Sequence, residues 1–139
     1  MKYIIADPDE QSHIDLKKIL DGYEMLDFQG SFTNIEMAEN SIRKEPPDIA
    51  FISVGKAELN AFQLSCVIRG LNPFSKVVFF SSQLEYAVDA FEWDAYGFIS
   101  VPFNEGKIMH LLQKSFEDRK AYLKQSKWIG NYILRQEKN

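Results

Sequence analysis

Ser53 closes the run Pro47-Asp48-Ile49-Ala50-Phe51-Ile52-Ser53-Val54, which reads as a buried strand and sets a hydroxyl at its carboxyl end. Asp7 and Asp9 follow the apolar run Lys2–Ala6 in the same way, and Ser81 and Ser82 follow Lys76–Phe80. In an open parallel α/β sheet the loops after the strands converge at that edge, where sites are built. A serine is a weak nucleophile unless a base activates it, and no histidine or other base lies near Ser53 in the sequence. His13 and His110 are far apart, in separate amphipathic segments, and no shared ligand role is expected of them. Asp9 is placed to cap the helix that follows it.

The elements that must position these residues alternate along the chain. A strand at Lys2–Ala6 leads to a helix from Asp9 to about Tyr23, with Ile14, Leu16, Ile19 and Leu20 as its core candidates. A second strand spans roughly Met25 to Phe32. Asn34 caps a helix presenting Ile35, Ala38 and Ile42, which stops before Pro46-Pro47. After the Ser53 strand and a polar connection, a helix runs from about Leu59 to Leu71, followed by the strand Lys76–Ser81, apolar as expected when both faces are covered. A fourth helix, about Leu84 to Trp93, carries Tyr86, Ala87, Ala90 and Phe91. The strand Tyr96–Val101 and a helix from about Asn104, with Ile108, Leu111, Leu112 and Phe116, complete the series. This is an α/β pattern. It predicts a three-layer, flavodoxin-like (βα)5 doubly wound parallel sheet in the order 2-1-3-4-5, with an extended C-terminal helical tail.

The 139 residues suit one domain, 45% hydrophobic and 26% charged, with an aromatic share of 14%. The single Cys66 leaves no disulfide framework or zinc cluster, and neither a signal peptide nor a membrane span is legible, so a cytoplasmic protein is expected. Charge is uneven. Residues 119–139 carry six bases against one acid, a net of +5, which leaves −9 on residues 1–118 of a chain totalling −4. The composition therefore separates residues 1–118 from a basic, aromatic helical extension at 119–139. Within the extension Trp128, Ile129, Tyr132, Ile133 and Leu134 form an apolar cluster, expected to pack on the body, a second subunit or a partner. The bases lack the aromatic interleaving of RNA-binding segments, so nucleic acid is not an expected partner.

Residues 1 to about 118 resemble the response-regulator receiver family (CheY-like), particularly receivers of the LytR/AlgR type. The likeness rests on Pro47-Asp48, Phe79-Phe80-Ser81, Glu85-Tyr86-Ala87-Val88-Asp89-Ala90-Phe91-Glu92 and Gly97-Phe98-Ile99-Ser100-Val101-Pro102-Phe103. It implies two-component (phosphorelay) signalling by a module that is not an enzyme. It also implies that the phosphoacceptor position falls on Ser53 and that the adjacent acids which hold magnesium fall on Asp7 and Pro8, with Asp9 one place late. The hydroxyl residue ending the fourth strand falls on Ser81, the aromatic switch position on Phe98, and the lysine before a cis-proline on Val101, so Val101–Pro102 is expected to be cis. Lys56, where the family has methionine, is one residue able to replace the missing charge.

An aspartyl-phosphate route requires a carboxylate nucleophile, a cation on oxygen ligands and a balancing positive charge. Ser53, Pro8 and Val101 each remove one part of it. The expectation is a phosphorylation-independent pseudo-receiver with no cofactor and no bound magnesium, Asp7 being the single candidate ligand. Its degenerate pocket comprises Asp7, Pro8, Asp9, Ser53, Lys56, Ser81, Val101 and Pro102. It would act by protein contacts or dimerisation through a helix-four, strand-five and helix-five face holding Ser81, Tyr86, Ala90, Trp93, Phe98 and Phe103, with the tail cluster extending it. The alternatives are an active receiver phosphorylated at an unconventional residue such as Ser53 or Asp7, and a small-ligand sensor using the emptied pocket.

Overall fold

The computed structural model describes residues 1–55 and 60–137, the segment 126–137 as helix backbone only. Lys56 and the side chains of Trp128, Ile129, Tyr132, Ile133 and Leu134 lie outside the described residues. Five strands alternate with five helices: β1 Lys2–Ala6, α1 Glu10–Leu20, β2 Asp27–Phe32, α2 Ile35–Lys44, β3 Ile49–Ser53, α3 Ala61–Leu71, β4 Lys76–Ser81, α4 Tyr86–Glu92, β5 Gly97–Ser100 and α5 Glu105–Glu137. All neighbouring strands are parallel, in the order β2-β1-β3-β4-β5. The expected topology is the one observed.

Strand alternation divides the core. Ile4, Ala6, Ala50, Ile52, Val54, Val77 and Phe79 pack with Ala38 and Ile42 of α2, Ala61, Leu64 and Ile68 of α3, and Ala90 of α4. Tyr3, Ile5, Phe51, Val78 and Phe80 point the opposite way and are also buried. On that side Tyr3 meets Phe51 edge-on at 6.1 Å, and its hydroxyl lies 3.5 Å from Asp21 Oδ1, at the end of α1. Burial first, then the Asp21 charge and contact, push the Tyr3 phenol well above its ordinary value.

Caps set the helix starts. Asp9 Oδ1 accepts from the Gln11 amide at 3.0 Å, Asn34 Oδ1 from Met37 at 2.9 Å, and Asn60 Oδ1 from Gln63 at 3.1 Å. The Asn60 cap starts α3 two residues after the expected Leu59. At α1 the expected face needs correction: Ile14 is 48% exposed, whereas His13 is buried with Leu16 and Leu20. Positions 13, 16 and 20 share a helix face, and position 14 is turned about 100° away from 13. α4 buries Ala90 and leaves Phe91 in solvent. Several elements are also shorter than expected, among them α1, β2, α4 and β5. Turns at Tyr23–Leu26 and Gln83–Ala87 take the residues assigned to the starts of β2 and α4.

The chain divides into two compact units, Met1–Glu105 and Gly106–Asn139. In the second, Ile108, Leu112 and Ser115 are buried, while Met109, Tyr122 and Leu123 are exposed. α5 crosses Arg119 without a break, so the division between 1–118 and 119–139 is one of composition and charge. Among the described residues no helix is long and apolar enough to cross a membrane.

Candidate functional site

Register brings the sequence-selected residues to one edge. Ala6 pairs with Ile52, Ser53 with Phe80 and Ser81 with Ser100, so Asp7, Ser53, Ser81 and Val101 emerge side by side. The hydrogen bonds Asp7 N to Phe32 O, Val54 N to Phe80 O and Val101 N to Ser81 O, at 2.9 to 3.0 Å, carry the ladder one residue past each strand. A cavity of about 390 Å³ opens there, lined by Asp7, Asp9, Ser12, Ser53, Val54, Gly55, Phe80, Ser81, Ser82, Gln83 and Val101. The Val101–Pro102 peptide is cis, as the resemblance implies. Pro8 is exposed and does not line the cavity.

Within the cavity the polar groups largely satisfy one another. Asp7 is 4% exposed, and its Oδ1 accepts from the Asp9 amide at 2.9 Å. The His13 ring hydrogen-bonds to the Asp7 carbonyl through Nε2. Burial pushes the Asp7 carboxyl above its ordinary 3.8; the Asp9 amide, the His13 ring and the Ser12 hydroxyl oppose this, and the Asp9 carboxylate reinforces it. Asp9 is engaged as the α1 cap, its Oδ2 accepting from Ser12 Oγ at 3.2 Å. Ser81 Oγ accepts from the Gln83 amide at 3.1 Å, tying down the turn into α4, while Gln83 Oε1 is buried without a partner.

Chemically this is a hydroxyl-rich pocket around one buried carboxyl. No lysine, arginine or histidine is among the described residues that line it. Ser53 is half-buried among the lining residues, and the His13 ring nitrogen is engaged by the Asp7 backbone carbonyl. Among the described residues no group of three or more His, Cys, Asp or Glu side chains is arranged to hold a metal ion. Sequence reasoning missed Ser12, His13 and Gln83 here. The spacing Ser81-x-Gln83 is a hydroxyl-turn signal; His13 carried none, because its neighbour Ile14 is the more plausible core residue by type.

The expected contact residues separate on inspection. Trp93 is exposed at one edge and stacks on Phe62 of α3, ring centroids 5.4 Å apart and planes 21° from parallel. Tyr86 and Phe98 are half-buried against the core, and Phe103 leans on Phe80 at 5.6 Å. Ala90 is fully buried and is removed from any surface, because it is the residue by which α4 meets the sheet. The exposed side of α4 instead carries Val88 and Phe91, which the apolar pattern alone did not distinguish.

The fold and this edge are those of a (βα)5 domain whose loops gather at the carboxyl ends of its strands. No protein-family model matches the chain. It is 25% identical over 129 residues to the sensory transduction protein LytT of Bacillus anthracis, a match covering 93% of this chain and 52% of that protein. It is 31% identical over 81 residues to LytT of Bacillus subtilis, covering 58% of this chain and 34% of that one. The response regulatory domain of MrkE from Klebsiella pneumoniae superposes with a TM-score of 0.78 at 24% identity, covering 87% of this chain and 99% of that domain. The chain spans about half the length of the first LytT relatives. Over most of its length the chain is similar in sequence to these LytT proteins, and its fold is that of a response regulatory domain.

Proposed function

We propose that this receiver signals by protein contact and without phosphorylation, as a degenerate member of its class rather than as an enzyme. The observation that carries the reading is the composition of the strand-end pocket. At the nucleophile position stands Ser53, at the second acid Pro8, and at the charge-balancing position Val101. Of the two carboxyls left there, Asp9 is engaged as the α1 cap, and Asp7 is buried, its pKa held above the ordinary value by that burial. Phosphoryl transfer is stabilised almost wholly by positioned charge, and this pocket supplies little of it. A protein partner or a second copy then takes the place of phosphate as the input, in a cytoplasmic setting and without a cofactor.

A titration with magnesium and beryllofluoride, followed by Trp93 fluorescence, tests the reading. Trp93 reports on the end of α4 through its stack on Phe62. A flat response is expected. A saturable change at millimolar magnesium would restore the phosphate-responsive alternative, with Ser53 or Asp7 as acceptor.

A further inference from the structure

We propose that the amino-end edge of the sheet, opposite Ser53, carries a binding site for a small planar aromatic anion, read by Arg69, Lys76 and Phe74. Here the loop from α3 into β4 and the loop from α4 into β5 lie side by side, joined where the Tyr96 amide donates to the Val77 carbonyl at 2.8 Å. Between them opens a cavity of about 780 Å³, lined by Cys66, Arg69, Gly70, Phe74, Lys76, Asp94 and Tyr96 among others. That volume falls in the range of small-molecule sites, roughly 300–1,000 Å³. The strand-end pocket has no part in it, so the site stands whether or not the domain responds to phosphate.

Gly70 keeps the space open. It lies inside α3 with a negative φ, and a Cβ there would meet nothing within 4 Å, so neither backbone conformation nor packing calls for glycine. A glycine inside a helix costs about 1 kcal/mol relative to alanine, and here the unfilled room is cavity wall. Charge at the cavity runs against its surroundings. Residues 1–118 carry a net −9, whereas the described lining residues hold two cations, Arg69 and Lys76, against one acid, Asp94. The Arg69 guanidinium is held in place: it donates to the Trp93 carbonyl, to the Asp94 carbonyl at 2.6 Å and to Ser65 Oγ at 3.4 Å. A cation fixed in this way has little freedom left to lose on meeting an acid group. Aromatic surface adjoins the charge. Lys76 Nζ stands over the Tyr96 ring, 5.6 Å from its centroid, and Phe74 is 62% exposed in a turn whose amide donates to Asn72 Oδ1 at 3.1 Å. A flat ring stacks on Phe74 while its acid group meets Arg69 and Lys76. An aliphatic anion would leave the ring unused, and a neutral ring would leave the cations unused.

Cys66, the single cysteine of the chain, is exposed on the cavity wall and reports its occupancy. Alkylation of the full chain by N-ethylmaleimide, followed by intact mass, should slow saturably with salicylate or with adenosine monophosphate. The slowing should be roughly tenfold at about 1 mM ligand, as mass action gives for a Kd of about 0.1 mM. Protection by both supports the site as a reader of ring and acid together; protection by one alone supports it and names the acid as carboxylate or phosphate. Adenosine and inorganic phosphate at the same concentration should protect little. Adenosine protecting as well as its monophosphate, or phosphate protecting as well as the ring-bearing anions, overturns the ligand class, and no protection by either anion overturns the site. Gly70→Leu favours the helix and fills the cavity. It should stay folded by far-ultraviolet dichroism and lose the protection, each rate being compared with its own ligand-free control. Lys76→Met keeps an apolar stem, removes the charge and should weaken binding at least about tenfold by titration calorimetry. A folded Gly70→Leu protected like the wild type, or a Lys76→Met that binds unchanged, overturns the assignment; should Gly70→Leu fail to fold, Lys76→Met decides it.

Discussion

At the scale of single residues, Asp7 is the buried carboxyl of the strand-end pocket and Ser53 its half-buried hydroxyl. Asp7 remains at the end of β1, but its environment serves the loop: Oδ1 holds the Asp9 amide, and the backbone carbonyl holds His13. Its folded pKa lies above the unfolded one, so the carboxyl's stabilising contribution is present at low pH and is lost as pH rises through the folded value. Asp7→Asn keeps the oxygen that accepts from Asp9 and removes the buried charge. It should therefore raise the urea midpoint at pH 7, and the gain should shrink as pH falls toward 4. An unchanged or lower midpoint at pH 7 would show the charge to be usefully paired. Ser53→Asp is the complementary case. The substitution supplies a nucleophile but neither the ligand oxygen absent at Pro8 nor the charge absent at Val101, and such groups act as a unit. Incubation with acetyl phosphate should leave its intact mass unchanged; a phosphoryl adduct would show that a single carboxylate suffices.

Among the elements, α4 depends most on its neighbours. It has seven residues and no side-chain cap at its start, too short to be stable by propensity. Its far end is held from α3: the Arg69 guanidinium donates to the carbonyls of Trp93 and of Asp94, the latter at 2.6 Å, and Asp94 itself adopts φ 59°. A cation on the last carbonyls satisfies groups the helix leaves open, and aspartate tolerates the left-handed turn better than most residues. Arg69→Ala should cost about 1 kcal/mol by urea unfolding, discounted for its exposure, and should perturb Trp93 emission before global unfolding. If Trp93 and dichroism report one coincident transition at the wild-type midpoint, the clamp contributes nothing. None of this was legible in the sequence, because Arg69 and Asp94 are distant along the chain and neither belongs to a local pattern. The strands were legible, since continuous apolar runs with polar ends have few alternatives, and so were Asp9 and Asn34 as caps. α4 defeated the periodicity for the opposite reason: Tyr86, Ala87, Val88, Ala90 and Phe91 are apolar nearly all round, so composition did not choose a face, and Ala90 was assigned to the surface. Ile14 and His13 were exchanged in the same way, residue type having been given priority over helical position.

For the whole molecule, the unequal distribution of charge and of buried side chains makes separate demands on body and tail. Every buried side chain described lies at or before Ser115, while Tyr122 and Leu123 are exposed. The compact unit Met1–Glu105 holds the entire sheet. Ending the chain after Lys120 thus removes helix without removing any buried side chain among those described. Such a truncation should keep cooperative unfolding, with a midpoint equivalent to within about 1 kcal/mol of the full chain measured as a monomer. Helical dichroism should fall in proportion to the residues deleted. Association is where the loss should appear, because the deleted segment holds Trp128, Ile129, Tyr132 and Ile133, and burying side chains of that size stabilises by about 1.5–3 kcal/mol each. Several such residues outweigh the exposed ion pairs around them, which contribute roughly 0–1 kcal/mol apiece and vanish with salt. Where the full chain associates, high salt should accordingly weaken that association only in part, whereas truncation should abolish it, both read by light scattering. An insoluble or unfolded truncated chain would mean that the tail completes the core of its own molecule, and a truncated chain that still dimerises would place the contact elsewhere.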